Sequence, residues 1–213
     1  MIRLASIKRV AGLAAGMALG LCAAPAALAA DGPKVYEQKC MHCHGQEGAS
    51  KDSSIPIIGG YSAKYVVDSV QNFRRKLRPC AEVTIPSGPK KGTKSDMCKV
   101  VADLGDDDAQ AIGKWLSGRK FVPARQPFDA AKVARGESVY GRLCRRCHED
   151  NGRSPDEDNG IVAGQWTPYL KGQIAAFRAG KRSIDDKMKA RLDKLGPEDE
   201  DALLNFYASQ QQW

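Results

Sequence analysis

The sequence predicts an all-α chain made of two tandem copies of one domain, related by internal duplication, and three observations carry that prediction. Residues recur at a fixed offset of 104: Val35-Tyr36 with Val139-Tyr140, Cys40 with Cys144, Gly60 with Gly164, Tyr65 with Tyr169, Phe73-Arg74 with Phe177-Arg178, and Arg78 with Arg182. Apolar residues fall at helical spacing, as in Val66, Val70, Phe73 and Leu77 and again in Leu170, Ile174 and Phe177, and nothing alternates over the length of a strand. Each copy also carries the pattern Cys-x-x-Cys-His, as Cys40-Met41-His42-Cys43-His44 and as Cys144-Arg145-Arg146-Cys147-His148.

Residues 1–30 read as a secretory signal peptide. Arg3, Lys8 and Arg9 precede an apolar run from Val10 to about Leu21, and Ala27-Leu28-Ala29 supplies a small-x-small cleavage site, with cleavage after Ala29 or Ala30. The run is too short for a retained membrane span. Cys22 raises the alternative of a lipidated leader, but Leu21 is a poor residue before a lipidated Cys. The first domain, 31–120, is predicted to hold helices over about 33–44, 61–78 and 106–118, the last opened by Asp106-Asp107-Asp108, since acids favour a helix N-terminus. Beyond Arg78 the offset drops to 91, pairing Met97 with Met188, Leu104-Gly105 with Leu195-Gly196 and Ala111 with Ala202. The first copy thus carries 13 extra residues between Arg78 and Met97, with the Pro, Gly, Ser and Lys content of a surface loop. The second domain, 121–213, begins with a Pro-containing linker over 121–129 and is predicted to hold helices over about 132–148, 166–181 and 197–210. Each copy is about 90 residues, small for a stable apolar core, so a bound cofactor must form much of it.

Cys-x-x-Cys-His is the attachment pattern of c-type haem: one turn of chain presents both thiols to the porphyrin vinyl groups and the next residue sets its imidazole on the iron. Zinc is the poorer reading, because each copy offers too few ligands for a closed site, and a redox dithiol has no need of the trailing His. Two covalent haems follow, held by Cys40, Cys43 and His44 and by Cys144, Cys147 and His148. Outside the leader the Met are Met41, inside the attachment turn, and Met97 and Met188, at matched places in the two copies. Met97 and Met188 are therefore the expected sixth ligands, opposite His44 and His148. His42 is the spare imidazole and is expected to face solvent. Cys80 and Cys98 remain as an even pair in an oxidising compartment and are expected to form a disulfide bracketing the insertion; an axial thiolate from Cys98 is the alternative.

These features bound the function. The net charge of +8 includes three leader cations, and the carboxylates of two haems would bring the mature chain near neutrality, so the charge does not argue for nucleic acid. No basic run with interleaved stacking aromatics is present. Two filled coordination spheres leave no open iron for substrate, and no Ser/His/Asp set or phosphate-binding Gly loop stands out, so single-electron transfer is expected rather than catalysis. Trp166 and Trp213 are expected to pack inside the molecule, with a partner as the alternative. Arg74-Arg75-Lys76 and Lys181-Arg182 read as solvated helix ends.

The order of Cys-x-x-Cys-His at the end of a first helix, then Gly, Tyr and Phe-Arg, then Met and a last helix resembles class I cytochrome c, here in tandem. From about Phe121 onward the likeness narrows. Pro123-Ala124-Arg125-Gln126-Pro127-Phe128-Asp129, the run Ile161-Val162-Ala163-Gly164-Gln165-Trp166-Thr167-Pro168-Tyr169-Leu170, Lys187-Met188 and Phe206-Tyr207-Ala208-Ser209-Gln210-Gln211 are similar to the di-haem subunit of flavocytochrome c sulfide dehydrogenase. The insertion between Cys80 and Cys98 departs from that pattern. The resemblance implies two domains about a pseudo-twofold axis with haem propionates facing one another. The signal peptide and covalent haem attachment point to a periplasmic location, and the resemblance implies an FAD-containing, sulfide-oxidising partner subunit that feeds electrons singly to this one. Those electrons would pass to a soluble acceptor such as a small cytochrome c. A freestanding di-haem shuttle to a terminal oxidase is the alternative, and a haem enzyme such as a peroxidase or thiosulfate dehydrogenase is a third.

Overall fold

The computed structural model of the chain describes residues 30–213. The signal peptide, its cleavage site after Ala29 or Ala30 and Cys22 therefore lie outside the described residues, save Ala30 itself. Nine α-helices, two short 3-10 turns and one small hairpin make up the described part.

In the first half α1 (Gly32–Lys39) is opened by Asp31, which accepts from Lys34 N, and by Pro33 in its first turn. Cys40, at φ −117° and ψ −38°, breaks it from the single turn α2 (Met41–His44), so the predicted helix over 33–44 is two pieces. α3 (Ala63–Arg74) is capped by the Ser62 side chain and α5 (Asp106–Ser117) by Asp108, which accepts from Gly105 N at 3.0 Å. Between them lie β1 (Val83–Thr84), β2 (Lys94–Ser95) and α4 (Met97–Val100). In the second half α6 (Ala130–Leu143), α7 (Thr167–Arg178), α8 (Asp186–Leu192) and α9 (Pro197–Ser209) repeat the plan without a hairpin.

Three expectations are corrected here. The helix predicted over 61–78 stops at Arg74 because Lys76 takes φ +57°, which leaves Leu77 45% exposed instead of on the buried stripe. The insertion contains two paired strands, Val83 opposite Ser95 and Thr84 opposite Lys94, too short for any alternation to register in sequence. The segment carrying Met188 forms a seven-residue helix beyond the three predicted for the second half.

The same crossing holds each half together. α1 packs on α5 and α6 on α9, and in both a glycine allows it. A Cβ on Gly32 would lie 2.3 Å from the Ala111 carbonyl oxygen, and one on Gly136 would lie 2.1 Å from that of Ala202. Gly32 and Gly136 are 104 apart and Ala111 and Ala202 are 91 apart, so the two contacts are copies. The linker is no spacer. Phe121 and Ala124 are buried in the first-half core, and Ala124 N donates to Gly164 O at 2.7 Å. Gln126 donates to Gln165 O and accepts from Thr167 N.

Candidate functional site

The first site is built where α1 breaks. The Tyr36 hydroxyl donates to Gly45 O at 2.7 Å and fixes the turn that presents Cys40, Cys43 and His44. His44 Nδ1 lies 2.9 Å from Pro56 O. A carbonyl can only accept, so Nδ1 carries the proton and Nε2 keeps its lone pair, the tautomer that binds a metal. Burial lowers the His44 pKa and keeps the ring neutral; the bond to Pro56 opposes that in part. Burial likewise pushes the Cys40 thiol up to about 12. Cys40, Cys43, His44 and Met97 all line one cavity whose other walls are mainly apolar, among them Ile58, Val66 and Leu116. Met97 opens α4, which Asp96 caps by accepting from Lys99 N at 3.0 Å.

The second site repeats the turn with less cover. α6 breaks at Cys144 (φ −116°, ψ −35°), and the Tyr140 hydroxyl donates to His148 O at 2.7 Å. His148 Nδ1 is buried without a hydrogen bond of normal geometry. Burial lowers its pKa, and the backbone at Gly160, the counterpart of Pro56, partly offsets that from the side where Pro56 serves His44. Cys147 is exposed, where its counterpart Cys43 is half-buried. Asp185 caps α8 by accepting from Lys187 N and from Met188 N at 3.0 Å. A second cavity lies between Phe177, Ile184, Leu192 and Leu195, and Cys144, Cys147, His148 and Met188 are not among its walls. The structure thus brings the first ligand set to one cavity and does not bring the second set together in this one.

Cys80 and Cys98 are joined by a disulfide, with Cα atoms 5.7 Å apart, so Cys98 carries no free thiolate. His42 does not face open solvent. Gly88 sits on its ring, and Ser87 donates to its carbonyl at 2.9 Å, because the insertion folds back over the attachment turn.

The boundary between the halves is symmetric and polar. Arg78 donates to Tyr169 at 3.2 Å, and its counterpart Arg182 donates to Tyr65 at 3.3 Å. Each guanidinium also lies 4.4 Å from a phenylalanine ring, Phe73 and Phe177 respectively. Gln173 accepts from both arginines, so Arg182 is not the solvated helix end its sequence context suggests. Gln165 is 0% exposed; it accepts from Ile57 N at 3.0 Å and donates to Ile57 O at 2.8 Å and to Tyr61 at 2.9 Å. Tyr61 in turn donates to Ile161 O. Trp166 donates to Ser50 O across the boundary and packs within the molecule, whereas Trp213 stacks on Phe121 at 5.4 Å but stays 39% exposed.

Sequence reasoning missed Gln165, Tyr61 and the reach of Arg78; the 104 offset pairing Tyr61 with Gln165 was the available signal. Arg78 lines the first cavity and is buried, its named partners Ser69, Tyr169 and Gln173 are neutral, and its Nε has no partner. The carboxylate in the cavity wall, Asp96, is paired with Lys99, so a buried cation left with neutral partners calls for an anionic group in that cavity. Burial opposes it, yet Arg182 and Arg78 draw the Tyr65 hydroxyl below its ordinary value, which marks the same unneutralised positive charge. Two thiols, an imidazole with a free Nε2, a thioether and an uncompensated guanidinium around one apolar cavity fit a haem with its carboxylates.

Residues 29–120 match the family model described as cytochrome c, and residues 131–206 match the one described as cytochrome c oxidase, cbb3-type, subunit III. The chain is 25% identical over 179 residues to cytochrome c4 of Azotobacter vinelandii, covering 78% of this chain and 82% of that protein. It is 27% identical over 209 residues to the thiosulfate dehydrogenase electron acceptor of Stutzerimonas stutzeri, covering 86% and 88%. The crystal structure of reduced cytochrome c4 from Pseudomonas stutzeri shares the fold with a TM-score of 0.67 at 24% identity, covering 84% of this chain and 98% of that one. The architecture is therefore two tandem domains of the class I cytochrome c fold.

Proposed function

The chain belongs to the di-haem cytochromes c, with two covalently bound haem c groups, and from that premise we propose that it is a periplasmic electron carrier for a separate sulfur-compound dehydrogenase. The observation that carries the reading is the convergence of His44 and Met97 on one apolar cavity. Haem c supplies one-electron chemistry when bound. Cys40 and Cys43, and Cys144 and Cys147, anchor it covalently. His44 would bind the iron through Nε2, its ring held in register by Pro56 O, and His148 would do the same from a buried ring whose Nδ1 has no hydrogen bond here. Met97 and Met188 would supply the thioether ligands, each held in the first turn of an Asp-capped helix. Residues 31–120 and 121–213 form the two haem domains behind a signal peptide over 1–30. Among the described residues no helix is long and apolar enough to cross a membrane.

Two donors are compatible with this carrier. Likeness to a thiosulfate dehydrogenase electron acceptor supports a catalytic subunit acting on thiosulfate. The sequence motifs of the second half support an FAD-containing sulfide-oxidising subunit. In both, electrons leave to a soluble acceptor such as a small cytochrome c. The likeness to cytochrome c4 favours a second reading, a freestanding shuttle to a terminal oxidase.

Purification of the native protein, with haem counting by mass, tests the proposal. Two haems together with co-elution of a dehydrogenase subunit, yellow if it carries FAD, support the carrier-subunit reading. A lone red protein that no sulfur-compound dehydrogenase reduces, and that a terminal oxidase oxidises, supports the shuttle. A chain without two haems removes both.

A further inference from the structure

The first copy carries an element that the second lacks, and it lies over one haem site only. Eighteen residues separate Arg78 from Met97, whereas five separate Arg182 from Met188. The longer segment is closed at its base by the Cys80–Cys98 bond and stiffened by the β1–β2 pair. Its inner residues Pro79, Ala81, Val83, Ser95 and Asp96 wall the cavity that holds His44 and Met97. Its turn reaches the attachment motif itself. Ser87 donates to His42 O at 2.9 Å, and Gly88 lies so close to the His42 ring that a Cβ would fall 2.3 Å from Nδ1. Ile85 is buried beneath it. The outer tip, with Lys90 and Lys91, is exposed.

At the second site the corresponding turn is bare. Cys147 is exposed, and the counterpart of the covered His42 is Arg146, which is exposed together with Arg145. The neighbouring Arg142 is paired with Asp199, yet neither Arg145 nor Arg146 has an ion pair among the described residues. Electron tunnelling weakens steeply with distance, so a layer of polypeptide over one attachment edge and none over the other separates the two haems as exchange points. Unpaired guanidinium groups beside the open edge suit carboxylates on a partner.

We infer that the 79–96 insertion caps the first attachment edge, and that the chain exchanges electrons with redox partners bearing an acidic face at the second, through the Cys144–His148 turn flanked by Arg145 and Arg146. The inference rests on the di-haem carrier reading. It assigns the first haem to internal exchange across the boundary built by Arg78, Tyr169, Arg182 and Tyr65.

Stopped-flow oxidation of the fully reduced holoprotein by ferricyanide, an anionic probe, tests it. At low ionic strength Arg145→Glu/Arg146→Glu slows oxidation several-fold, and the difference closes as salt is added. Lys90→Glu/Lys91→Glu, at the tip of the cap, leaves the rate unchanged. In a Cys80→Ser/Cys98→Ser variant the cap is loosened, and oxidation becomes sensitive to the charge at Lys90 and Lys91. The inference is overturned if Lys90→Glu/Lys91→Glu slows oxidation as much as the arginine pair does, or if the arginine pair has no effect. Haem count and the charge-transfer band of Met-ligated ferric haem, recorded on the same samples, separate the two levels. Two Met-ligated haems with the wrong charge response defeat the port alone, whereas absent or differently ligated haems defeat the carrier reading.

Discussion

Replacing Gln165 by Leu removes the central pin of the domain boundary at nearly constant volume. The amide is 0% exposed and binds both backbone polar groups of Ile57, at 3.0 Å and 2.8 Å, together with the Tyr61 hydroxyl. Water has no access there, so the substitution strands the Ile57 N–H and C=O. Each unsatisfied buried group costs about 1–3 kcal/mol, which gives about 2–6 kcal/mol for the pair. Tyr61 keeps Ile161 O as its acceptor and adds little. That loss falls on the contact between halves and not within either core, so cooperativity should suffer as well as stability. Denaturant unfolding followed by haem absorbance and by tryptophan fluorescence reads both effects. The variant is expected to unfold earlier, with the two probes no longer coincident. A loss below about 0.5 kcal/mol with coincident transitions refutes the argument that this amide couples the domains.

Three further outcomes are expected. Asp96→Ala costs about 1 kcal/mol as a lost helix cap and weakens the Met97 band of the ferric spectrum. The Lys99 side chain holds the Asp96 carboxyl below its ordinary value of 3.8, so the cap is fully present above that pH and is lost as pH falls through the lower folded value. The gap between wild type and variant in thermal unfolding should therefore close in acid. Cys80→Ser/Cys98→Ser opens a loop of sequence separation 18 and costs about 3 kcal/mol by chain entropy, measured in denaturant; reductant should bring wild type to the same midpoint. Arg78→Leu removes a buried cation beside the first haem and so favours the ferric form. One of the two midpoint potentials should fall in a spectroelectrochemical titration, whereas Arg78→Lys should restore most of it; two unmoved potentials would contradict the assignment.

What could be read from the sequence was whatever the chain wrote twice or in a fixed local pattern. The attachment turns were legible because Cys-x-x-Cys-His is local chemistry, and the matched helices because their caps and apolar spacing survive in both copies. The failures have physical reasons. Leu77 continues the apolar period of Val66, Val70 and Phe73, but a single left-handed residue at Lys76 ends the helix before it. α8 is seven residues of mostly charged side chains and is held by its Asp185 cap and by Leu192, too little periodicity to detect. His42 was misplaced because its cover comes from Gly88, 46 positions away and inside a segment whose composition says only that it is a loop. Arg182 looked like any basic helix end; only its partners on the other half reveal the boundary.

A duplicated domain that folds onto its copy meets itself as a symmetric homodimer does, so residue i of one half touches j of the other, and j of the first touches i of the second. The pairs obey this: Ile57 meets Gln165 while Ile161 meets Tyr61, and Arg78 meets Tyr169 while Arg182 meets Tyr65. On the axis itself equivalent positions face each other, and there identity fails. Two tyrosines at 61 and 165 would each donate one hydroxyl to a carbonyl, as Tyr61 does to Ile161 O, and leave the Ile57 N–H unmet. One amide satisfies the pair and also donates to the remaining tyrosine. Position 173 diverges from Ser69 in the same way, since one glutamine oxygen accepts from both arginines. The copies thus stay alike where they hold haem and differ where a twofold axis cannot satisfy hydrogen bonds twice. The insertion takes no part in these boundary hydrogen bonds, so its asymmetry calls for another cause, which the unequal cover of the two attachment edges supplies.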